Sequence, residues 1–194
     1  ERERTVDGAP DDLLQRLVTA VDDEGDGGGL SRVEVRDHLL TLFLAGHETT
    51  SHALTWTWSL LGDHPEVEGR LDEELARVLG GRDPGLEDLE ALPYTKQVLE
   101  ESMRLYPPAY VLSRRAVEDV QVGDWTVPAG SEVVCWIAHV HRDPRWWPEP
   151  HAFRPERFAE GADPGRPKLA WMPFGAGPRA CIGARFAMVE AQLI

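Results

Sequence analysis

The chain has 194 residues, of which 42% are hydrophobic and 28% are charged, as is usual for a globular domain. The formal net charge of −14 argues against a surface that binds nucleic acid or anionic membranes. No apolar run approaches the ~20 residues of a membrane-spanning helix, and no signal peptide is visible. We therefore expect a cytoplasmic monomer that does not bind nucleic acid.

The ends of the chain indicate a fragment. The sequence opens at Glu1 without an initiator Met and stops at Ile194 inside a predicted helix. We expect one incomplete domain over residues 1–194. A membrane anchor ahead of residue 1 stays an open alternative.

An acidic, Gly-rich stretch from Asp22 to Gly29 follows a short helix predicted over residues 11–21. The stretch is similar to a calcium-binding loop, but Val33 occupies the twelfth position, where that site needs a bidentate Glu. We interpret the stretch as a linker.

A long helix follows the linker. Ser31 and Glu34 form a capping box that starts it, and Pro65 prevents it from continuing past His64. An end near Gly62 makes the helix about 45 Å long, enough to cross a whole domain.

Two more helices come next, one from Pro65 to the Gly80-Gly81 pair and one from Pro93 to Tyr106. The pattern then changes to short strands, predicted over Val111–Val117, Val120–Val122, Trp125–Val127 and Ser131–Ala138, with a hairpin turn at Gly123-Asp124. An irregular loop with one short helical piece is predicted over His141–Pro173, and a final helix over Gly183–Ile194. The predicted fold class is mainly α with a small β region.

The strongest chemical signal is Phe174-Gly175-Ala176-Gly177-Pro178-Arg179-Ala180-Cys181-Ile182-Gly183. Its glycines allow tight turns and a close approach of the backbone to a flat group. Cys181 stands where the loop meets the last helix, and backbone N–H groups there favour a thiolate. The alternative is a surface loop with an incidental free cysteine.

This segment resembles the haem-binding loop of the cytochrome P-450 family, Phe-Gly-x-Gly-x-Arg-x-Cys-x-Gly, at every defined position. The resemblance implies that Cys181 is the proximal ligand of the iron of haem b and that Arg179 pairs with a haem propionate. It assigns Phe174, Gly175, Gly177 and Gly183 to cofactor binding as well. It also implies the C-terminal half of the family's fold, from the long oxygen-groove helix to the helix after the Cys loop.

Glu101 and Arg104 form a second signal because residues three apart share a helix face. Glu101 lies on the same face as Tyr94 and Val98, which favours a buried pair over an exposed one. A buried pair needs further partners, and Arg157 in Pro155-Glu156-Arg157-Phe158 could supply one. These segments match the family's Glu-x-x-Arg helix and Pro-x-Arg-Phe loop. The resemblance implies a Glu101–Arg104–Arg157 network that braces the Cys loop.

The third signal is Ala45-Gly46-His47-Glu48-Thr49-Thr50, inside the long helix. A Gly followed by a Thr can open the hydrogen-bond ladder of a helix, although both can also be tolerated as poor helix formers. The segment resembles the family's oxygen-binding groove. By that resemblance Thr49 holds the dioxygen and its proton-donating water, and Glu48 feeds protons toward it.

The resemblance also places a propionate-binding arginine at Arg114. It also implies an apolar substrate pocket, lined by residues that include Ala45, Ala109, Val111 and Leu112.

The leading hypothesis is a haem-thiolate monooxygenase that inserts one atom of dioxygen into a small apolar substrate, with electrons from a ferredoxin, flavodoxin or reductase. Residues 142–194 carry a net charge of +2 and the rest carries −16, so an acidic donor would suit the face around Cys181. The alternatives are a peroxide-using or peroxide-isomerising enzyme of the same fold, and a non-catalytic haem sensor.

Overall fold

The computed structural model describes residues 11–21 and 27–194. It confirms a mainly helical fold with small sheets. The helices are α1 (Leu13–Thr19), α2 (Arg32–Asp63), α3 (Pro65–Leu79), α4 (Pro93–Leu105), α5 (Ile137–Val140) and α6 (Ala184–Leu193). The strands are β1 (Leu112–Arg115), β2 (Val120–Val122), β3 (Trp125–Val127) and β4 (Glu132–Cys135). Most of the predicted linker, residues 22–26, lies outside the described residues.

The described residues before Thr49 contain α1 and the first part of α2. The predicted capping box is confirmed: the Ser31 backbone N–H donates to Glu34 Oε2 at 2.8 Å, and the Glu34 N–H donates to Ser31 Oγ at 3.3 Å. These two bonds satisfy backbone donors that the first turn of a helix otherwise leaves unpaired.

From Thr49 onward, the end of α2 packs with α3 and α4 around one apolar core. The core consists of Leu60, Leu61, Val67, Leu71, Tyr94, Val98, Leu105 and Phe153. A buried polar contact adds to it, because Thr57 Oγ1 donates to Ser102 Oγ at 2.8 Å.

The buried carboxylate of Glu74, on α3, fixes the start of α4. It accepts the backbone N–H groups of Tyr94 and Thr95 at 2.9 and 2.8 Å, and the Thr95 hydroxyl at 2.9 Å. Pro93 needs no such partner because it has no N–H. The first turn of α4 is therefore capped by a neighbouring helix, which sets the rotation of α4 about its axis.

The strands form two antiparallel pairs, β1 with β4 and β2 with β3. The hairpin predicted at Gly123-Asp124 is confirmed, with Gly123 at φ +58°. The prediction that the last strand runs to Ala138 was wrong. It stops at Cys135, which pairs with Leu112, the first residue of β1, so no partner strand remains beyond it. The chain continues as α5, with Ile137 fully buried.

The stretch predicted to be irregular contains two 3₁₀ helices, Pro155–Phe158 and Lys168–Ala170, where the sequence predicted one helical piece. The first packs against α4. Within the described ranges, no helix is both long and apolar enough to cross a membrane.

Candidate active site

Glu101 and Arg104 form an ion pair on α4 that solvent does not reach, since both side chains are fully buried. Arg104 Nε lies 2.6 Å from Glu101 Oε2, and Arg104 Nη2 lies 2.8 Å from Glu101 Oε1. This bidentate geometry is the strongest form of a carboxylate–guanidinium contact. The spacing of three residues brings the two groups together only because α4 is helical here.

The remaining donors of Arg104 are satisfied by backbone carbonyl oxygens from a distant part of the chain. Nη1 donates to His141 O at 2.9 Å and to Pro150 O at 2.7 Å, and Nη2 donates to Ala152 O at 3.1 Å. A buried guanidinium needs such partners to offset its loss of hydration. Arg104 thus ties the loop after α5 to α4.

Arg157 approaches the same carboxylate from the 3₁₀ helix Pro155–Phe158. Its Nε lies 3.3 Å from Glu101 Oε1, and its Nη2 donates to Glu149 O at 2.8 Å. Burial lowers the pKa of Arg157, and Glu101 opposes that shift. An arginine stays charged in a protein nonetheless. The backbone N–H of Arg154 also donates to Glu101 Oε1, at 2.9 Å. The structure therefore brings Glu101, Arg104 and Arg157 together.

The Cys loop, residues 174–183, is a tight turn closed by its own backbone. The Cys181 N–H donates to Phe174 O at 2.8 Å. Gly175 and Gly177 have φ of +70° and +73°, a region that other residues adopt only under strain. A Cβ on Gly175 would also lie 3.4 Å from Leu112 Cδ1, so the loop sits closely against β1.

Cys181 is a free, exposed thiol just before α6, whose N-cap is Gly183. Arg179, at the end of the 3₁₀ helix Gly177–Arg179, is exposed, and so is Arg114 on β1. The described residues contain no group of three or more His, Cys, Asp or Glu side chains that could hold a metal ion. A single sulfur donor suits a metal that brings its other ligands with it.

The other predicted site residues lie on α2 and at the start of β1. Ala45, Glu48 and Thr49 are exposed and lie within α2, which is assigned as α-helix from Arg32 to Asp63. Ala109 and Leu112 are half-buried and Val111 is exposed. The roles predicted for these residues stay predictions.

Sequence reasoning missed three aromatic residues next to the Cys loop. The Met172 backbone N–H donates to His141 Nε2 at 2.8 Å, and Trp147 Nε1 donates to Ala170 O at 3.2 Å. Trp171 Nε1 donates to Glu100 O at 3.2 Å. The one available signal was the presence of aromatic residues in a charged, proline-rich stretch.

His141 should make stability depend on pH. Burial lowers its pKa from 6.5 to about 4, the nearby backbone of Arg104 and Met103 opposes the shift, and the charges of Arg104 and Arg142 add to it. The His141 ring therefore binds a proton more tightly in the unfolded chain than in the folded one. The free energy of unfolding keeps its full value above about pH 6.5 and falls as the pH drops to about 4. The loss should be roughly 3 kcal/mol.

Urea unfolding of the full-length protein between pH 7 and pH 4 measures this effect. His141→Gln should lose less stability on acidification than the wild type. His139→Gln, a change at an exposed histidine of α5, should keep the wild-type pH dependence. Equal pH dependence in wild type and His141→Gln would contradict the assignment.

Comparisons with known proteins show the family of the chain. A family model of cytochrome P-450 matches residues 1–194. The chain is 42% identical to cyclooctatin synthase of Streptomyces melanosporofaciens, over 96% of this chain and 40% of that protein. It is 41% identical to cyclooctat-9-en-7-ol 5-monooxygenase of the same organism, over 100% of this chain and 42% of that protein. It is 40% identical to cytochrome P-450 4V2 of Homo sapiens, over 94% and 35%.

The chain thus spans about 40% of the length of the curated relatives it matches. The match runs along the whole chain and includes the segments that meet at the buried ion pairs and the Cys loop. This chain belongs to the cytochrome P-450 family.

Proposed function

We propose that the full-length protein is a haem-thiolate monooxygenase, in which the Cys181 sulfur would hold the iron. The observation that carries the proposal is the free, exposed thiol of Cys181. It stands on a loop that turns at glycines and that the Cys181 N–H closes by its hydrogen bond to Phe174 O. The family match supports it, and one relative bears the name of a monooxygenase.

The residues present fit haem b. Haem iron carries four porphyrin nitrogens, so one protein sulfur suffices on the proximal side. Phe174, Gly175, Gly177 and Gly183 shape the loop around that sulfur, which would bind the iron as a thiolate. The exposed guanidinium groups of Arg179 and Arg114 would pair with the propionates.

When bound, the haem supplies the redox centre at which dioxygen is reduced, and a thiolate ligand favours cleavage of its O–O bond. This chain's residues supply position and protons. The Thr49 hydroxyl would orient a water molecule, and the Glu48 carboxylate would pass protons to it. Exposed on α2, both groups are accessible to solvent.

The proposed substrate is a small apolar molecule. Ala45, Ala109, Val111 and Leu112 carry only alkyl side chains, without hydrogen-bonding groups. Side chains of this kind bind a substrate by excluding water and place few polar demands on it.

A one-electron carrier of the ferredoxin or flavodoxin type is the proposed electron donor. Residues 142–194, which include Cys181, carry a net charge of +2 in a chain of net charge −14. Exposed Arg145, Arg179 and Arg185 contribute to that charge. An acidic carrier would be attracted to this face.

Salt should slow reduction by such a carrier. Raising the ionic strength from 0.05 to 0.5 M should lower the second-order rate constant by about tenfold or more, because it screens charges at the interface. Stopped-flow reduction with an acidic ferredoxin measures this rate. A rate constant that does not change with salt would contradict the electrostatic docking.

The haem-thiolate centre is tested by the difference spectrum of the reduced full-length protein with carbon monoxide. The wild type should show a strongly red-shifted Soret band, and Cys181→Ser should lose it. Cys135→Ser, at the half-buried cysteine that ends β4, is the matched control and should keep the band. A haem spectrum without the shift in the wild type would contradict thiolate ligation, and a wild type without haem would contradict the proposed function altogether.

A further inference from the structure

Three hydrogen bonds of side chains hold the segment Ala170–Met172 just before the Cys loop. Trp147 Nε1 donates to Ala170 O, His141 Nε2 accepts the Met172 N–H, and the Trp171 indole donates to the backbone of α4. Each bond joins a side chain to the backbone. Together they fix the path of the chain more firmly than apolar packing alone would.

The segment is joined to the Cys181 backbone by further hydrogen bonds. The Gly175 N–H donates to Met172 O at 3.0 Å, and the Cys181 N–H donates to Phe174 O at 2.8 Å. A shift of Met172 would therefore move the turn that carries the thiol.

Glu101, Arg104 and Arg157 form the buried ion-pair cluster. His141 and Trp147 also contact Arg104 of this cluster. The His141 carbonyl accepts Arg104 Nη1 at 2.9 Å. The Trp147 ring is fully buried and has two guanidinium groups within cation–π distance, with Arg104 at 5.0 Å and Arg166 at 4.1 Å from the ring centroid.

His141 is suited to accept a hydrogen bond at neutral pH. It is fully buried, and burial lowers its pKa to about 4. The ring is therefore neutral near pH 7, and because the Met172 N–H points at Nε2, that nitrogen must be the unprotonated one.

We infer that His141 and Trp147 are positioning residues that link the Glu101–Arg104–Arg157 cluster to the Cys loop and so hold Cys181 where it can ligate the iron. The inference rests on the proposed haem-thiolate function. Their hydrogen bonds reach the backbone of the segment that leads to the Cys loop. Their effect should appear in the spectrum of the thiolate-ligated form and not only in overall stability.

The test compares two transitions of the full-length haem protein in urea. One is loss of the red-shifted Soret band of the reduced carbon monoxide complex, and the other is loss of helical circular dichroism. A residue that only contributes to stability shifts both midpoints together. A positioning residue lowers the first midpoint further than the second and opens a gap between them.

His141→Leu removes the acceptor and leaves the Met172 N–H unpaired. It should lower the ratio of thiolate-ligated to unligated protein at least about fivefold, the equivalent of about 1 kcal/mol for one buried hydrogen bond, and so open the gap. His141→Gln keeps an acceptor oxygen of similar reach and should restore most of the ratio. His139→Leu, at the exposed histidine of α5, is the matched control and should leave both midpoints unchanged.

The inference would be overturned if the two urea transitions of His141→Leu had the same midpoint shift. It would also be overturned if His141→Gln lowered the ratio of thiolate-ligated to unligated protein as much as His141→Leu does. If His141→Leu does not fold, Trp147→Phe decides, because it keeps an aromatic ring for the two guanidinium groups and removes the donor to Ala170 O together with part of the buried ring. A gap in Trp147→Phe supports the inference, and its absence overturns it. A wild type without the red-shifted band would overturn the proposed function as well, so the two failures are distinguishable.

Discussion

A buried carboxylate, that of Glu101, constrains the architecture around the Cys loop. Two guanidinium groups and a backbone N–H converge on it, and the side chain has no contact with solvent. Removing one partner of such a buried ion pair is expected to cost about 3–5 kcal/mol, because the charge left behind stays unsolvated. The loops that supply these partners, residues 141–157, must therefore meet at one face of α4.

The same constraint explains why the stretch after α5 holds its position with little regular structure. Backbone carbonyls of His141, Pro150 and Ala152 take up the donors of Arg104, and the Glu149 carbonyl takes one from Arg157. Glu149 has a φ of +50°, a left-handed conformation that costs a non-glycine residue free energy. Its hydrogen bond to Arg157 helps to offset that cost. Order here comes from charge–dipole contacts and not from a hydrogen-bond ladder.

Sequence patterns predicted what local chemistry determines. The capping box at Ser31 and the hairpin at Gly123-Asp124 appear where expected, and the burial of Glu101 followed from its place on an apolar helix face. Non-local contacts were not predictable in this way. His141 and Trp147 bond to backbone atoms 31 and 23 residues away, and no spacing rule encodes such a partner.

The central claim is that the buried ion-pair cluster and the Cys loop form one cooperative unit, and hydrogen–deuterium exchange of the full-length protein tests it most directly. Glu101→Gln keeps the shape of the side chain and removes its charge. The account predicts faster exchange at the amides of Arg154, Met172 and Cys181 together, with the Val35 amide, bonded to Ser31 O in the first turn of α2, unchanged. Faster exchange at Arg154 alone, with Met172 and Cys181 still protected as in the wild type, would contradict it.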